Sequence, residues 1–388
     1  MLRGSILGRF YRSASSWLTR KVRQTAGKRL LRRTHTNVMS SAWLRNDPAR
    51  WNLRFVGEPE TVTVPPPITV APIENFPTAP IGTWTLDPPW VLTAHDAIAC
   101  GPLGTLYTND GAVIAESHAT EAYNTGWEVP ISTQLQHRKA VSAPTIRTLA
   151  HAAPFAGYWS DNYFHWLIEG LPRIGLLPPD VPLIVPERLT SWQRASLELL
   201  GVDERRWVSV GDAPFRVREA YVASYARGRT PGQRFVPVRP SAARWLRDRF
   251  RLRGTSGPER IYITRDARAG RGASNDDEVR HALEGAGFTT CDPATMTVRD
   301  QVALFSRAKL IVGLHGAGLA NAVFATDAAV IELLGRPRTL DYLYVCAAVG
   351  HRYGALQCKE TRSIHPSQRN LIVDVAALLR LVDVILTA

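Results

Sequence analysis

The sequence predicts an α/β protein made of two halves in tandem, with a cleft between them. From about residue 145 onward, short apolar runs of strand length alternate with longer amphipathic runs of helix length. A repeated strand–loop–helix order is typical of a parallel sheet with helices on both faces. The length of 388 residues, with 45% apolar and 21% charged residues, is enough for two globular domains.

The first 46 residues form a basic tail. They contain eleven Lys and Arg and no Asp or Glu, whereas the remaining 342 residues carry a net charge of only +2. A nearly neutral body argues against a nucleic-acid-binding protein. Apolar residues interleaved with the charges are typical of a basic amphipathic helix on an anionic membrane surface. A disordered segment and an organelle transit peptide are the alternatives that this composition leaves open.

Residues 47–253 make up the predicted N-terminal half. Nine prolines between residues 57 and 90 predict an extended linker or edge segment as its lead-in. Short apolar runs on either side of Asn109-Asp110-Gly111 predict a hairpin. Beyond it the pattern predicts helices at 160–171, 190–201 and 240–252, and strands at 183–185, 207–210 and 220–224.

Residues 254–388 make up the predicted C-terminal half, which begins with the Gly-Thr-Ser-Gly-Pro sequence. The alternation is more regular here than in the first half. It predicts strands at 261–264, 288–291, 310–313, 330–334 and 371–375, and helices at 275–286, 298–308, 317–324 and 376–386. This half therefore has the pattern of a Rossmann-like parallel sheet.

The first candidate site lies in the predicted helix at 160–171. His165 and Glu169 are four residues apart and share one helix face with Asp161, one turn earlier. A carboxylate beside a histidine fixes the ring and raises its basicity, which is a natural arrangement for a general base. The alternative is a capped helix start with a hydrogen-bonded histidine in an aromatic core.

The second candidate site is a loop rich in arginine and glycine between a predicted strand and a predicted helix. Arg265, Arg268 and Arg271 lie in the loop, and Asn275 or Ser274 caps the helix that carries Glu278. Arginine binds phosphate through two donors, and a helix N-terminus offers free N–H groups and a positive dipole end. The sequence therefore predicts an anion site, although it is not a P-loop. A solvated basic loop is the alternative.

The third candidate site is a glycine-rich sequence between a predicted strand and the next helix. His315, Gly316, Ala317 and Gly318 allow a ligand to approach the backbone closely at a helix N-terminus. The carboxyl end of a strand is also where open α/β sheets bind ligands. Glu332 ends the next predicted strand at the same edge, where it could bind a hydroxyl or a ribose. A tight turn with a structural histidine is the alternative.

In this order and spacing, the three segments resemble glycosyltransferase family 61, over about residues 90–380. The matching residues are Asn162-Tyr163-Phe164-His165-Trp166 with Glu169, Pro172 and Arg173; then Arg265, Arg271, Asn275 and Glu278; then Gly313, His315-Gly316-Ala317-Gly318-Leu319, Asn321 and Glu332. The family includes eukaryotic protein O-GlcNAc transferases, plant xylan-decorating transferases and bacterial capsule or exopolysaccharide enzymes.

The resemblance implies a GT-B-like fold of two Rossmann-type halves and an inverting, metal-independent transfer from a nucleotide-sugar to a glycan or lipid-linked acceptor. The N-terminal half would take the acceptor, with His165 or Glu169 as the base and Asp161 beside them. The C-terminal half would hold the donor through the matching residues of the second and third segments. No cofactor, no metal and no nucleic-acid partner are expected.

The resemblance also suggests where the enzyme works. A basic tail without a spanning segment departs from Golgi members and favours a bacterial enzyme of cell-surface polysaccharide biosynthesis, cytoplasmic and peripheral at the inner membrane face. No run of about 18 apolar residues predicts a spanning helix, and four cysteines far apart in sequence suit a reducing compartment.

Three other functions stay open at the level of sequence. One is a non-catalytic sugar- or nucleotide-binding protein at the membrane, the second is a hydrolase that uses His315, and the third is nucleic-acid binding through the tail. The sequence has no Gly-x-Ser-x-Gly elbow, which argues against the hydrolase. It also has no Asp-x-Asp, so a metal-bridged diphosphate has no obvious ligands.

Overall fold

The computed structural model describes ten segments of the chain: residues 38–39, 52–77, 81–118, 131–211, 213–227, 236–252, 257–265, 271–336, 339–362 and 369–388. Nearly all of the basic tail, and Arg268, lie outside the described residues, so the predictions made for them stay predictions. Within the described segments, no helix is long and apolar enough to cross a membrane.

The N-terminal sheet mixes parallel and antiparallel strands. The strands of this part are β1 (Val38–Met39), β2 (Asn52–Phe55), β3 (Glu60–Val64), β4 (Gly82–Leu86), β5 (Trp90–Cys100), β6 (Thr105–Tyr107), β7 (Val113–Ile114), β8 (Thr148–Pro154), β9 (Leu183–Val185), β10 (Trp207–Ser209) and β11 (Phe215–Ala223). In the described residues β3 pairs with β4, and the others form one sheet in the order β1-β7-β6-β5-β11-β8-β9-β10, with β2 beside β5. The hairpin predicted at Asn109-Asp110-Gly111 is confirmed, because it joins the antiparallel strands β6 and β7.

Only part of this sheet has the expected parallel pattern. Strands β11, β8, β9 and β10 are parallel neighbours. Strand β5 lies antiparallel to β11 and continues the sheet through β6 and β2. The N-terminal half is therefore a parallel α/β unit extended by an antiparallel layer, because the short runs before residue 122 add strands without crossover helices.

The helices predicted at 190–201, 240–252, 275–286, 298–308 and 376–386 are confirmed, whereas the sequence pattern does not predict those at 131–142 and 341–349. The helices are α1 (Ile131–Ser142), α2 (Leu171–Ile174), α3 (Ser191–Leu199), α4 (Pro240–Arg249), α5 (Asp276–Gly285), α6 (Val298–Phe305), α7 (Asp341–Val349) and α8 (Val375–Thr387). Helix α3 begins at a capping box formed by Thr190 and Gln193, which satisfies two backbone N–H groups at the helix start.

The C-terminal sheet is fully parallel in its five described strands. They are β12 (Arg260–Ile263), β13 (Thr289–Cys291), β14 (Leu310–Leu314), β15 (Ala329–Leu334) and β16 (Arg352–Gln357), in the order β13-β12-β14-β15-β16. Every residue of β14 and β15 is buried. Continuous apolar strands of this kind are covered on both faces, as the sequence predicts for this half. Two short strands, β17 (Lys359–Glu360) and β18 (Leu371–Ile372), pair beside it.

Two predicted helices adopt other helical geometries. Residues His165–Gly170 form a π-helix, in which the Leu171 N–H donates to the Trp166 carbonyl. The next residue, Pro172, has no N–H to donate, so the regular α-helical bonding is interrupted at this point. Residues Ala317–Phe324 form a 3₁₀-helix, and its residues from Leu319 onward are buried.

One apolar cluster is shared by the two sheets, and each sheet also has a buried cluster of its own. A single cluster of buried side chains includes Phe155 and Leu183 from the N-terminal sheet and Ile261 and Ile311 from the C-terminal sheet. Tyr344 of α7 belongs to the same cluster. The residues that connect the halves are therefore packed tightly, and side chains from both halves are held at fixed positions.

The proline-rich lead-in is an edge segment of the C-terminal sheet. The backbone N–H of Ile68 donates to the Tyr353 carbonyl at 2.9 Å, and the Ile68 carbonyl accepts from the Ala355 N–H at 3.0 Å. Ile68 therefore pairs in parallel with the outer side of β16. A segment from the beginning of the chain thus completes the sheet of the other half.

Candidate functional site

The first histidine–glutamate pair lies on the π-helix, and we call it the N-terminal pair (His165–Glu169). The Nδ1 atom of His165 is 2.7 Å from Oε2 of Glu169. Because a carboxylate accepts, the imidazole proton lies on Nδ1, which leaves a lone pair on Nε2. The Glu169 side chain is only 4% exposed, whereas 15% of the His165 side chain reaches solvent.

Arg227 holds the other oxygen of Glu169. Its Nε is 2.6 Å from Oε1 of Glu169, and its Nη2 donates to the Asp341 carboxylate at the start of α7. The guanidinium also lies 5.4 Å from the centroid of the Phe164 ring. Burial raises the pKa of Glu169, but its interactions with the His165 ring and with the positive charge of Arg227 outweigh it and hold that pKa below its usual value. Glu169 is therefore an ionised carboxylate with both oxygens occupied.

The second pair lies at the carboxyl ends of β14 and β15, and we call it the C-terminal pair (His315–Glu332). The Nδ1 atom of His315 is 2.5 Å from Oε1 of Glu332. The Tyr353 hydroxyl donates to Oε2 of Glu332, also at 2.5 Å. Burial lowers the pKa of His315, but the hydrogen bond and charge of Glu332 outweigh it and raise that pKa. About a third of the His315 side chain is exposed.

The first turn of α7 lies between the two pairs. The Tyr342 ring packs edge-on against His315, with centroids 5.5 Å apart, and against Phe164, with centroids 5.6 Å apart. The charges of Arg227, His165 and His315 all lower the pKa of Asp341, which burial otherwise raises. The structure therefore brings the first and third sequence motifs into one site.

Two arginines of the second motif, Arg265 after β12 and Arg271, lie near the C-terminal pair. A Cβ atom added to Gly316 would lie 3.2 Å from Nη1 of Arg265, so the guanidinium lies directly against the glycine turn. Burial raises the pKa of Tyr342 well above its usual value, and Arg271 and Arg265 counteract that rise. Arg271 also acts to lower the pKa of His315. Both arginines thus add positive charge near the C-terminal pair.

This order of motifs has a counterpart among known families. Residues 163–331 match the family model described as Glycosyltransferase 61. This part of the chain belongs to glycosyltransferase family 61. A comparison with curated proteins found no match. The matched segment contains His165, Glu169, Arg227 and His315, so these residues lie within the glycosyltransferase domain.

The chain is accordingly a glycosyltransferase, and the resemblance found in its sequence is confirmed. Glycosyl transfer needs a base near the acceptor hydroxyl and positive groups near the leaving group. The N-terminal pair offers a histidine nitrogen that can accept a proton. The C-terminal pair, Arg265 and Arg271 offer positive charge on the other side of Tyr342.

Several predicted donor residues of the glycosyltransferase have partners within the protein. Asn275 donates to Glu278 at 3.0 Å and to the Val373 carbonyl at 2.9 Å, and it accepts from the Val373 N–H. Its side chain therefore links the start of α5 to the segment after β18 instead of capping α5. Glu278 lies with it at this exposed junction. A donor contact for either residue stays a prediction.

Asn321 connects the two sequence motifs of the glycosyltransferase. Its Oδ1 accepts from the Tyr163 hydroxyl at 2.8 Å, and its Nδ2 donates to Gln301 at 2.8 Å. The side chain is fully buried. Asn321 therefore fixes the position of the first motif against the third, and Glu332 likewise has both oxygens bound within the protein.

Asp161 lies outside the helix that carries the pair. It is exposed in the turn before His165, and Asn162 rather than Asp161 accepts the Phe164 N–H, at 2.9 Å. Sequence reasoning missed Arg227, Asp341 and Tyr353, because each lies outside the three motifs and meets them only in the folded chain. The sequence that follows Arg227 has no helix or strand periodicity, so it gives no local signal of the role of Arg227.

Proposed function

We propose that the enzyme transfers a sugar from a nucleotide-sugar to a glycan or lipid-linked acceptor, with inversion at the anomeric carbon and without a metal ion. The observation that carries the proposal is the position of the two histidine–glutamate pairs, which lie on either side of Asp341 and Tyr342. One pair suits proton abstraction, and the other suits a negatively charged leaving group.

In this proposal His165 is the general base. Glu169 is buried and both of its oxygens already contact His165 and Arg227, so it has no free oxygen for an acceptor. Its role is to hold the Nδ1 proton and orient the ring. Nε2 of His165 then takes the proton of the acceptor hydroxyl as its oxygen attacks the anomeric carbon, and the bond to the nucleoside diphosphate breaks on the opposite face.

The leaving diphosphate is stabilised from the C-terminal half. His315 has a raised pKa and so favours its cationic form, and Arg265 and Arg271 bring two further charges to the same turn. Arginine pairs with phosphate oxygens through two parallel hydrogen bonds. Fixed positive groups that face the developing charge supply the largest share of many rate enhancements. A divalent metal is then not required for charge neutralisation.

We extend the proposal to the whole chain. A GT-B-like division into residues 47–253 and 254–388 would put the acceptor on the N-terminal side and the donor on the C-terminal side. The eleven basic residues of 1–46 would hold the enzyme peripherally at an anionic inner membrane face, because each such charge contributes about 1 kcal/mol there. The setting that fits is cell-surface polysaccharide biosynthesis.

A thermal-shift screen of the full chain against UDP-, GDP-, CMP- and dTDP-sugars, each with and without EDTA, tests the donor. A ligand at one hundred times its dissociation constant stabilises a protein by about 2.7 kcal/mol. We expect one nucleotide family to stabilise the chain equally in both conditions. NMR of the product then gives its anomeric configuration. Stabilisation that EDTA abolishes, or a product with retained configuration, would overturn the proposal.

A further inference from the structure

A small pocket next to the N-terminal pair has an exposed tryptophan on its rim. Gly157, Trp159, His165 and Tyr225 are among the residues that line it. The indole of Trp159 lies roughly parallel to the His165 imidazole, with ring centroids 6.1 Å apart and planes 28° apart. Trp159 is 39% exposed, whereas Trp166 of the same segment is fully buried. This large aromatic face is therefore presented beside the base rather than packed in the core.

The turn that carries Trp159 is fixed at several points. The Ser160 N–H donates to the Gly157 carbonyl at 3.0 Å, and the Gly157 N–H donates to Oγ of Ser160 at 2.6 Å. Gln193 of α3 donates to the Ser160 carbonyl at 2.8 Å. Trp159 is thus held between anchored neighbours, and a ligand that meets its ring does not have to order the turn first.

The floor of the pocket excludes any side chain at position 157. A Cβ atom on Gly157 would lie 2.6 Å from the Tyr225 hydroxyl oxygen, so a larger residue would displace Tyr225. Beneath it, the Tyr225 ring packs 4.2 Å from the guanidinium carbon of Arg173, which is fully buried and donates to three backbone carbonyls. The shape of the pocket is therefore built into the core.

We infer that Trp159 forms an acceptor subsite for a pyranose ring. One face of a pyranose is lined by C–H groups and suits an aromatic face, while its hydroxyls project from the edge of the ring. A sugar stacked on Trp159 would place an edge hydroxyl beside His165. A serine side chain or a lipid alcohol has no flat face to use this surface. The inference rests on the proposed function, because it needs His165 to be the base.

Ligand-observed saturation-transfer NMR on the full chain tests the subsite without requiring activity. The probes are methyl β-D-glucopyranoside, methyl β-D-galactopyranoside and methyl β-D-xylopyranoside, with the peptide Gly-Thr-Gly as the competing acceptor class. We expect ring C–H signals from at least one sugar with the wild type and with Trp159→Phe, which keeps an aromatic face. The signals should disappear with Trp159→Leu, a change that an exposed position tolerates.

Phe55→Ala is the matched control, because Phe55 is a similarly exposed aromatic residue that does not line the pocket. Its sugar signals should equal those of the wild type. Absence of all sugar signals in the wild type, equal signals with Trp159→Leu, or a stronger signal from Gly-Thr-Gly would overturn the subsite.

Kinetics separate this inference from the proposed function. In transfer assays we expect Trp159→Leu to raise the acceptor KM roughly tenfold, the effect of losing one aromatic contact of about 1.4 kcal/mol. The donor dissociation constant should not change. If the wild type binds no nucleotide-sugar, the proposed function fails. If the wild type binds the donor and transfers sugar, but Trp159→Leu leaves the acceptor KM unchanged, only the subsite fails.

Discussion

Both site histidines hydrogen-bond a buried glutamate through Nδ1, but the second oxygen of each glutamate has a different partner. Glu169 shares its charge with the guanidinium of Arg227, whereas Glu332 accepts from the neutral hydroxyl of Tyr353. The full negative charge of Glu332 therefore acts on His315 and favours its cation. Beside His165, by contrast, the positive charge of Arg227 offsets part of the negative charge of Glu169.

This difference teaches how one arrangement can serve two purposes. A neutral histidine can accept a proton, and a protonated one can stabilise a diphosphate. The two sites differ in a side chain that contacts the glutamate and not the histidine. This side chain is Arg227 beside Glu169 and Tyr353 beside Glu332. Pairs of titratable groups whose environments differ in this way mark separate acid and base roles.

The largest expected effect comes from removing His165, the proposed base. With His165→Ala we expect kcat to fall by about 10²–10⁴-fold, the usual contribution of a general base. Donor affinity should stay within about a factor of two, because the proposed donor groups lie on the other side of Tyr342. Turnover and donor titration measure the two quantities. A kcat within tenfold of the wild type would remove His165 as the base.

The next largest effect comes from removing Arg227, the cation that contacts both Glu169 and Asp341. Arg227→Met leaves Glu169 and Asp341 as buried carboxylates without their partner, so we expect a loss of about 3–5 kcal/mol in the free energy of unfolding. Because Arg227 fixes the carboxylate that orients the His165 ring, we also expect kcat to fall. Arg227→Lys should recover part of both.

Arg194→Met is the control for this variant, because Arg194 pairs with Glu204 on the surface. An exposed pair of this kind contributes about 0–1 kcal/mol. Urea unfolding and kcat measured on the folded variants make the comparison. An unchanged kcat in Arg227→Met would show that Arg227 has only a structural role.

The C-terminal pair gives a smaller effect, and this effect depends on pH. The raised pKa of His315 means that its cation is present below about pH 6.5, the ordinary value, and is lost as pH rises through the raised one. Donor affinity and the stability contributed by the pair should both fall over that range. Glu332→Gln should shift the fall to lower pH and weaken donor binding about tenfold at pH 7. A pH dependence identical to that of the wild type would contradict the assignment.

The smallest expected effect comes from changing Tyr353, the uncharged partner of Glu332. Tyr353→Phe removes one hydrogen bond to Glu332, and we expect a loss of about 0.5–1.5 kcal/mol in the free energy of unfolding. The charge on Glu332 then acts more fully on His315, so the fall in donor affinity should move slightly to higher pH. A shift to lower pH would mean that Tyr353 strengthens the pair by ordering it.

The local features of the fold and site follow from local sequence signals. The alternating pattern predicts the strands from β9 to β15 but not β8 or β16, and the four-residue spacing of His165 and Glu169 predicts their contact. The partners of the glutamates come from distant parts of the chain: Arg227 is 58 residues from Glu169, and Asp341 is 114 residues from Arg227. No periodicity in one sequence indicates such contacts. The π-helix likewise depends on how Pro172 interrupts a helix that is already packed.

The pairing of Ile68 with β16 has a consequence for synthesis of the chain. Its partner Tyr353 is made 285 residues later, which at about 5–20 residues per second is roughly 15–60 s. During that interval the segment has no partner strand and could pair with a neighbouring chain instead. The three prolines at 65–67 have no N–H to offer such a pairing. They therefore keep the nascent segment extended and free from premature association until the last strand of the sheet emerges.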